Sequence, residues 1–276
     1  MKYLTKKVHF SIILATVCTL SIACAQKKDE DKKKSDTSNL HWSYNKKTGP
    51  NEWANVSSKN AICVSGKSQS PINIETSNGK ANQNMNKVDL KFRPTKMTLE
   101  KSGPLVRMVP TDASAKELNS VSLGSDTYTW KETQLHMPSE HTIDGKNADL
   151  EMEWMFENKE GKQSILSVLI NEGPESLAAK NYIQTIKKND LQKPQAVTEV
   201  VSVLGLFPFD NLSAFRYTGS LTTPPCTENV EWIVYKQAIT MSKVQLNVLR
   251  KHIDETNRPL QKQNKRSIHS ITTKVK

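Results

Sequence analysis

The sequence predicts a mainly β domain with few helices, an α+β fold in one piece, and three observations carry that expectation. Short runs of apolar and β-branched residues recur along the chain, separated by turn signals at Thr48-Gly49-Pro50, Ser77-Asn78-Gly79, Ser102-Gly103-Pro104 and Asp144-Gly145. Helical periodicity is confined to two stretches. From His41 onward no linker, repeat or second low-complexity segment breaks the chain, which predicts one domain over residues 41–270 and a short C-terminal tail at 271–276. A chain of 276 residues with 36% hydrophobic residues and only 4 Cys supports a substantial core. It excludes collagen, a disulfide-dense miniprotein and wholesale disorder.

The first element is a targeting segment. Met1–Phe10 carries Lys2, Lys6 and Lys7 without an acid, and Ser11–Ala23 is almost wholly apolar. A basic head, a short apolar stretch and small residues at its end describe a secretory signal over residues 1–23, too short to span a bilayer. Leu20-Ser21-Ile22-Ala23-Cys24 resembles the lipobox of bacterial lipoproteins, so Cys24 is expected to carry lipid and anchor the chain to a membrane of the bacterial envelope, on its periplasmic face or outer surface. Residues 24–40 mix Lys with Asp29, Glu30, Asp31 and Asp36 and read as a solvated tether. The first 40 residues hold eight lysines and four acids, so the rest of the chain carries +7 of the formal net charge of +11. A moderately basic exported domain suits acidic glycans or other polyanions. The near-cancellation of charge in the tether argues against a nucleic-acid partner.

Within the domain, strands are expected at Leu105–Val109, Tyr128–Met137, Leu150–Phe156, Ile165–Ile170, Val197–Leu206 and Val230–Val234. One helix is expected over Ser242–Glu255, with Ser242 as N-cap, Gln245 three residues on, and Leu246, Leu249 and Ile253 on one face. The other is Glu175–Lys188, with Leu177, Ile183 and Ile186. Two strands repay closer reading. A period of two puts Glu132, Gln134 and His136 on one face, and Thr133, Leu135 and Met137 on the other. It likewise buries Leu150, Met152, Trp154 and Phe156 and turns Glu151, Glu153 and Met155 the opposite way. Two strands that turn carboxylates and amides to one side suggest a shared polar cavity, or else a solvent-facing side. Cys63 and Cys226, far apart in an exported chain, read as one long-range disulfide, with two buried thiols as the alternative.

Five strings occur in the order found in the α-class carbonic anhydrases, and together they span His41 to about Ile268. They are His41-Trp42-Ser43-Tyr44, Gln69-Ser70-Pro71-Ile72-Asn73-Ile74, Pro138-Ser139-Glu140-His141-Thr142-Ile143-Asp144-Gly145-Lys146, Ser220-Leu221-Thr222-Thr223-Pro224-Pro225-Cys226-Thr227-Glu228 and Asn257-Arg258-Pro259-Leu260. The domain resembles that family. The resemblance implies a single domain around a large, twisted, mostly antiparallel sheet with a conical cavity, and it supports a Cys63–Cys226 bridge. It also implies a site. Active members hold Zn²⁺ by three neutral histidines, which leave the full positive charge to act on a bound water and lower its pKa to about 7. Here the three ligand positions fall on Gln134, His136 and Glu153.

By the same resemblance, Thr222 and Glu140 match the pair that orients the zinc hydroxide. Leu221, Thr223, Met155 and Trp232 match cavity positions, while Glu151, Glu132 and His141 match the supporting shell. A proton-shuttle histidine is missing where Ser102-Gly103-Pro104-Leu105 stands. With Glu153 two residues from Glu151, two carboxylates are expected to approach each other, so that one holds a proton, a cation bridges them, or Gln134 and His136 donate into them. The expectation is a carbonic-anhydrase-like envelope lipoprotein without strong CO₂ hydration, a pseudoenzyme serving as a binding module. Its Gln134, His136 and Glu153 would form a metal-free hydrogen-bonded plug, with Zn²⁺ bound weakly or not at all. The alternative is a carbonic anhydrase, a lyase converting CO₂ to bicarbonate through a Gln/His/Glu metal site, or another reaction in the same cavity such as ester hydrolysis.

Overall fold

The computed structural model describes residues 41–82, 85 and 87–276; the expected signal over 1–23, the lipid-modified Cys24 and the tether at 24–40 lie outside the described residues. Among the described residues the architecture is a 14-stranded mixed sheet with a separate small three-stranded one. Eight strands build the part that matters here. They are β1 (Met97–Ser102), β2 (Leu105–Pro110), β3 (Asp126–His136), β4 (Leu150–Glu157), β5 (Gln163–Glu172), β6 (Ser213–Ser220), β7 (Glu228–Tyr235) and β8 (His269–Thr272). They lie side by side as β1-β2-β3-β4-β5-β7-β6-β8. Pairing is antiparallel from β1 through β5 and again across β7, β6 and β8, with β5–β7 parallel in between.

Short connections follow the turn chemistry in the sequence. Gly103 takes φ 58 between the paired ends of β1 and β2, a left-handed backbone that favours glycine. The alternating pattern of β4 comes out as read. Leu150, Met152, Trp154 and Phe156 are buried in the main core with Leu166, Val168 and Ile170 of β5. The opposite face is covered as well. Ile165, Phe215, Tyr217, Val230, Trp232 and Val234 form a second core with Ile72 and Ile74. Polar residues that point to this second side therefore lie inside the protein rather than in water.

Four expectations of the sequence are corrected. Val197–Leu206 is not a strand: Val197 donates to the Met97 carbonyl and Val201 exchanges bonds with Thr95, while Thr198, Glu199 and Val200 bulge outward and Leu204–Leu206 closes as a 3₁₀ turn. Its apolar residues Val197, Val201, Val203 and Leu206 are buried, but the ladder to β1 is made by Gln195–Ala196 just before them. The first helix, α1, covers only Lys180–Lys188, and Leu177 is 77% exposed. The Gln245 side chain both accepts from Ser176 N (3.0 Å) and donates to Ser176 O (2.8 Å), pinning residues 175–179 outside the helix.

The second helix, α2 (Lys243–Arg250), starts at the Ser242–Gln245 capping box as expected but stops short of Glu255. His252 and Ile253 both donate to Leu249 O, and the chain turns away to run beside His136. Residues 271–276 are not a free tail either. Ile271 is buried, and Lys274–Val275 pairs in parallel with Val88–Lys91. A disulfide joins Cys63 to Cys226, and the bridge packs with Trp53 beside Trp42 and Tyr44. Among the described residues no helix is long and apolar enough to cross a membrane.

Candidate functional site

The site grows out of one antiparallel pairing. In the β3–β4 register Gln134 lies opposite Glu153 and His136 opposite Glu151, so all four point to the same side of the sheet. That side faces the second core, so the polar groups are removed from solvent: His136 and Glu151 are 0% exposed, Glu153 is 1% and Gln134 is 6%. Glu140 joins them from the loop after β3, and His136, Glu140 and Glu153 offer ligand atoms all within 4.8 Å of one another. Thr222 and Thr223 arrive from the segment after β6 and are both buried.

Each group has a fixed orientation. His136 Nδ1 lies 2.6 Å from the Thr256 carbonyl, which can only accept, so Nδ1 carries a proton and the neutral ring presents its lone pair at Nε2. Gln134 Nε2 donates to Glu132 Oε1 at 2.6 Å, and Glu132 is itself paired with Arg107 at 2.7 Å. This fixes the amide with Oε1 free. Glu140 Oε1 accepts from Arg258 N at 2.6 Å. Glu153 Oε2 accepts from Thr222 Oγ1 at 3.3 Å. The Thr222–Glu140 pair implied by the resemblance is therefore not made; Thr222 turns to the carboxylate that stands in a ligand position. The expected plug is not made either. Gln134 donates away from Glu153, and His136 Nε2 stands 3.7 Å from it, beyond hydrogen-bond reach.

Glu151 and Glu153 have opposite fates. Glu151 Oε2 accepts from the backbone of Glu140 and His141, each at 2.8 Å, and Oε1 meets His141 Nδ1 at 2.8 Å and Ser167 Oγ at 2.5 Å. Burial pushes its pKa up, but the His141 ring and these donors outweigh burial and hold it at about 2. His141 Nε2 continues to the Tyr217 hydroxyl at 2.6 Å. Glu153 has no such support. Burial, then the charges of Glu140 and Glu151, raise it well above the usual carboxylate range. The buried Tyr44 phenol is raised by burial and then by the carboxylates of Glu140 and Glu153.

The remaining sequence-derived positions fall around this floor. Met155 and Leu221 are half-buried and pack against the second core, beside the buried Thr223. Trp232 is wholly buried, with its ring 4.7 Å from that of His141 and its Nε1 donating to Ser220 O, so it forms wall rather than cavity lining. Four contributors had no role in the expectations from sequence, the Tyr217 hydroxyl beside His141 among them. Thr256 and Ser167 act through one oxygen each and carry no sequence signal. Arg107, the one charge inside the apolar run Leu105–Val109, was visible as an anomaly.

The family model for eukaryotic-type carbonic anhydrase matches residues 48–275. The chain belongs to that family. A carbonic anhydrase of Pectobacterium carotovorum is 29% identical over 235 residues, covering 85% of this chain and 92% of its own. Among solved structures, the α-carbonic anhydrase of Thermovibrio ammonificans, in complex with the inhibitor sulfanilamide, superposes with a TM-score of 0.75 at 29% identity, covering 83% of this chain and 98% of its own. Dioscorin, solved with ascorbate, gives 0.77 at 28% identity, with 85% and 99% covered.

Carbonic anhydrases are normally zinc-dependent, and the catalytic form of that centre uses three imidazoles. The residues here do not fit it. One imidazole remains, Gln134 offers a carboxamide oxygen, and Glu153 would cancel part of the ion's charge.

Proposed function

We propose that this member of the carbonic anhydrase family is an exported, lipid-anchored binding module that does not sustain CO₂ hydration. The observation that carries the reading is the ligand triad itself: a single imidazole, with Gln134 and Glu153 at the other two positions. A carboxylate ligand raises the pKa of a metal-bound water, so little hydroxide forms at neutral pH. The Thr222 hydroxyl, which would have to orient that hydroxide, is spent on Glu153. The likeness to dioscorin, whose solved structure is a complex with ascorbate, supports a ligand-binding role for this scaffold. The +7 balance of residues 41–276 favours an anionic partner, with acidic glycans the natural class on an envelope surface.

The test measures zinc in the purified chain by mass spectrometry and follows CO₂ hydration by stopped flow. Hydration at the buffer rate is expected, and stoichiometric zinc with turnover well above buffer would overturn the proposal. Heparin retention should fall as salt rises, since exposed charges are screened over about 10 Å at 0.1 M. Retention at low salt no different from that of a neutral control protein would remove the polyanion assignment. Cys24→Ala should move the chain from the membrane fraction to the soluble one.

A further inference from the structure

Four polar atoms of the buried cluster have no hydrogen-bond partner: Gln134 Oε1, His136 Nε2, Glu140 Oε2 and Glu153 Oε1. With the carboxylates ionised and the ring neutral, all four accept. The carbonyl beyond His136 Nδ1 places the lone pair of the neutral ring on Nε2, and the carboxylate beyond Gln134 Nε2 leaves the amide oxygen as the free end. Buried acceptors left without a donor are costly, because each forfeits its hydrogen bonds to water. Each of the four side chains is at the same time held from behind, by Glu132, Thr256 O, Arg258 N and Thr222 Oγ1 respectively. Inner groups that each turn one free acceptor inward and are each oriented by an outer partner are the arrangement found around metal ions. A single proton shared between Glu140 and Glu153 satisfies one carboxyl pair and still leaves Gln134 Oε1 and His136 Nε2 with nothing.

We propose that these residues form a divalent-cation site of a different kind from the family's three-imidazole centre, with Glu140 recruited as a ligand alongside His136, Glu153 and the Gln134 carboxamide oxygen. His136, Glu140 and Glu153 already have ligand atoms within 4.8 Å of one another. Two carboxylates match the charge of a divalent ion, and a set of three oxygens and one nitrogen suits oxygen-preferring ions such as Mn²⁺ better than the nitrogen-rich set does. The site goes beyond the binding role proposed above and does not depend on it. Two carboxylate ligands offset the charge of the ion, so a bound water there loses its proton less readily than at a three-imidazole centre.

The test uses chelator-treated protein and Mn²⁺ as the probe. Calorimetry and electron paramagnetic resonance should report one bound Mn²⁺ per chain. Glu140→Gln and Glu153→Gln should each weaken it by about 10- to 100-fold, taking the loss of an outer-shell partner as a lower guide. A substitution that unfolds the protein is recognised from its thermal melt. A second measurement therefore uses the unmutated chain: substoichiometric Mn²⁺ should broaden the His136 imidazole resonances before those of His252 and His269. No binding at millimolar Mn²⁺, affinity unchanged in both glutamine variants, or uniform broadening of the histidines would each overturn the site. Hydration measured on the Mn²⁺-loaded sample keeps the two proposals separate, because turnover there sinks the absence of catalysis and leaves the cation site standing.

Discussion

Replacing Arg258 with methionine should cost the fold heavily, although no reacting group is removed. The Arg258 guanidinium is buried and donates to Ser70 O (2.7 Å), Cys63 O (2.7 Å) and Gln69 Oε1 (2.9 Å), with its plane over the Trp53 ring at 5.5 Å. Hydrogen bonds from a charged donor contribute about 1.5–3 kcal/mol each, so three give about 5–9 kcal/mol. Against this stands the cost of burying the cation. Burial lowers the pKa of Arg258 from 12.5 to about 10, offset in part by Glu140 and Tyr44. That shift corresponds to about 3 kcal/mol. The net loss for Arg258→Met is then about 2–6 kcal/mol. At 2–4 °C per kcal/mol for a domain of this size, the middle of that range lowers Tm by about 8–16 °C. Arg258→Lys should recover less than half of it, because one compact ammonium cannot reproduce a planar fork that serves three acceptors. Circular dichroism melts of the three proteins decide the matter. An R258M melt within about 3 °C of the parent, or full recovery by lysine, would refute this reasoning.

Reducing the Cys63–Cys226 bridge releases a loop with a sequence separation of 163, which in the chain-entropy account removes about 5 kcal/mol; urea unfolding with and without reductant should show a loss of at least about 2 kcal/mol. Gln134→His combined with Glu153→His should tighten zinc binding by at least about a hundredfold, or roughly 3 kcal/mol, read by competition with a chromophoric chelator. Unchanged zinc affinity would mean that more than the ligand triad separates this site from a catalytic one. Asp144 titrates below its ordinary 3.8 because Thr76 donates to it from both backbone N (2.8 Å) and Oγ1 (2.9 Å). The pairing therefore supports the fold above the ordinary carboxylate pKa and fades as pH falls below it. Nuclear magnetic resonance titration of Thr76→Ala should find Asp144 moved back up toward 3.8, and no movement would discount the turn.

The parts of the molecule that could be read from sequence are those where one residue answers to several distant partners. Gln69-Ser70 and Arg258 come from strings that lie far apart in the chain and meet in the structure, and Glu151 gathers Glu140, His141 and Ser167. Such residues tolerate little change, so their strings stay recognisable, and the alternation along β4 placed Glu151 and Glu153 on the correct face. Orientation was not readable. A period of two says which side Gln134 faces but not which end of its amide leads, and that choice was made by Glu132 under the hold of Arg107 on β2. Val197–Leu206 has the composition of a strand, yet its shape is set by the end of β1 and by where the chain must turn next. Val88–Lys91 and Ser120–Leu123 pair with each other across a long stretch of sequence and are too short to announce themselves.

The way the last residues are sewn into the sheet also dictates when the protein can finish folding. His269 and Ser270 bond beside Lys80 and Ala81, while Lys274 and Val275 lie along Asp89 and Leu90. Each contact spans most of the domain, so loop closure there is slow and gains nothing until the whole chain is present. The sheet therefore reaches its final form only once residues 269–275 have joined residues 80–81 and 89–90, a step that follows the closing of the shorter ladders.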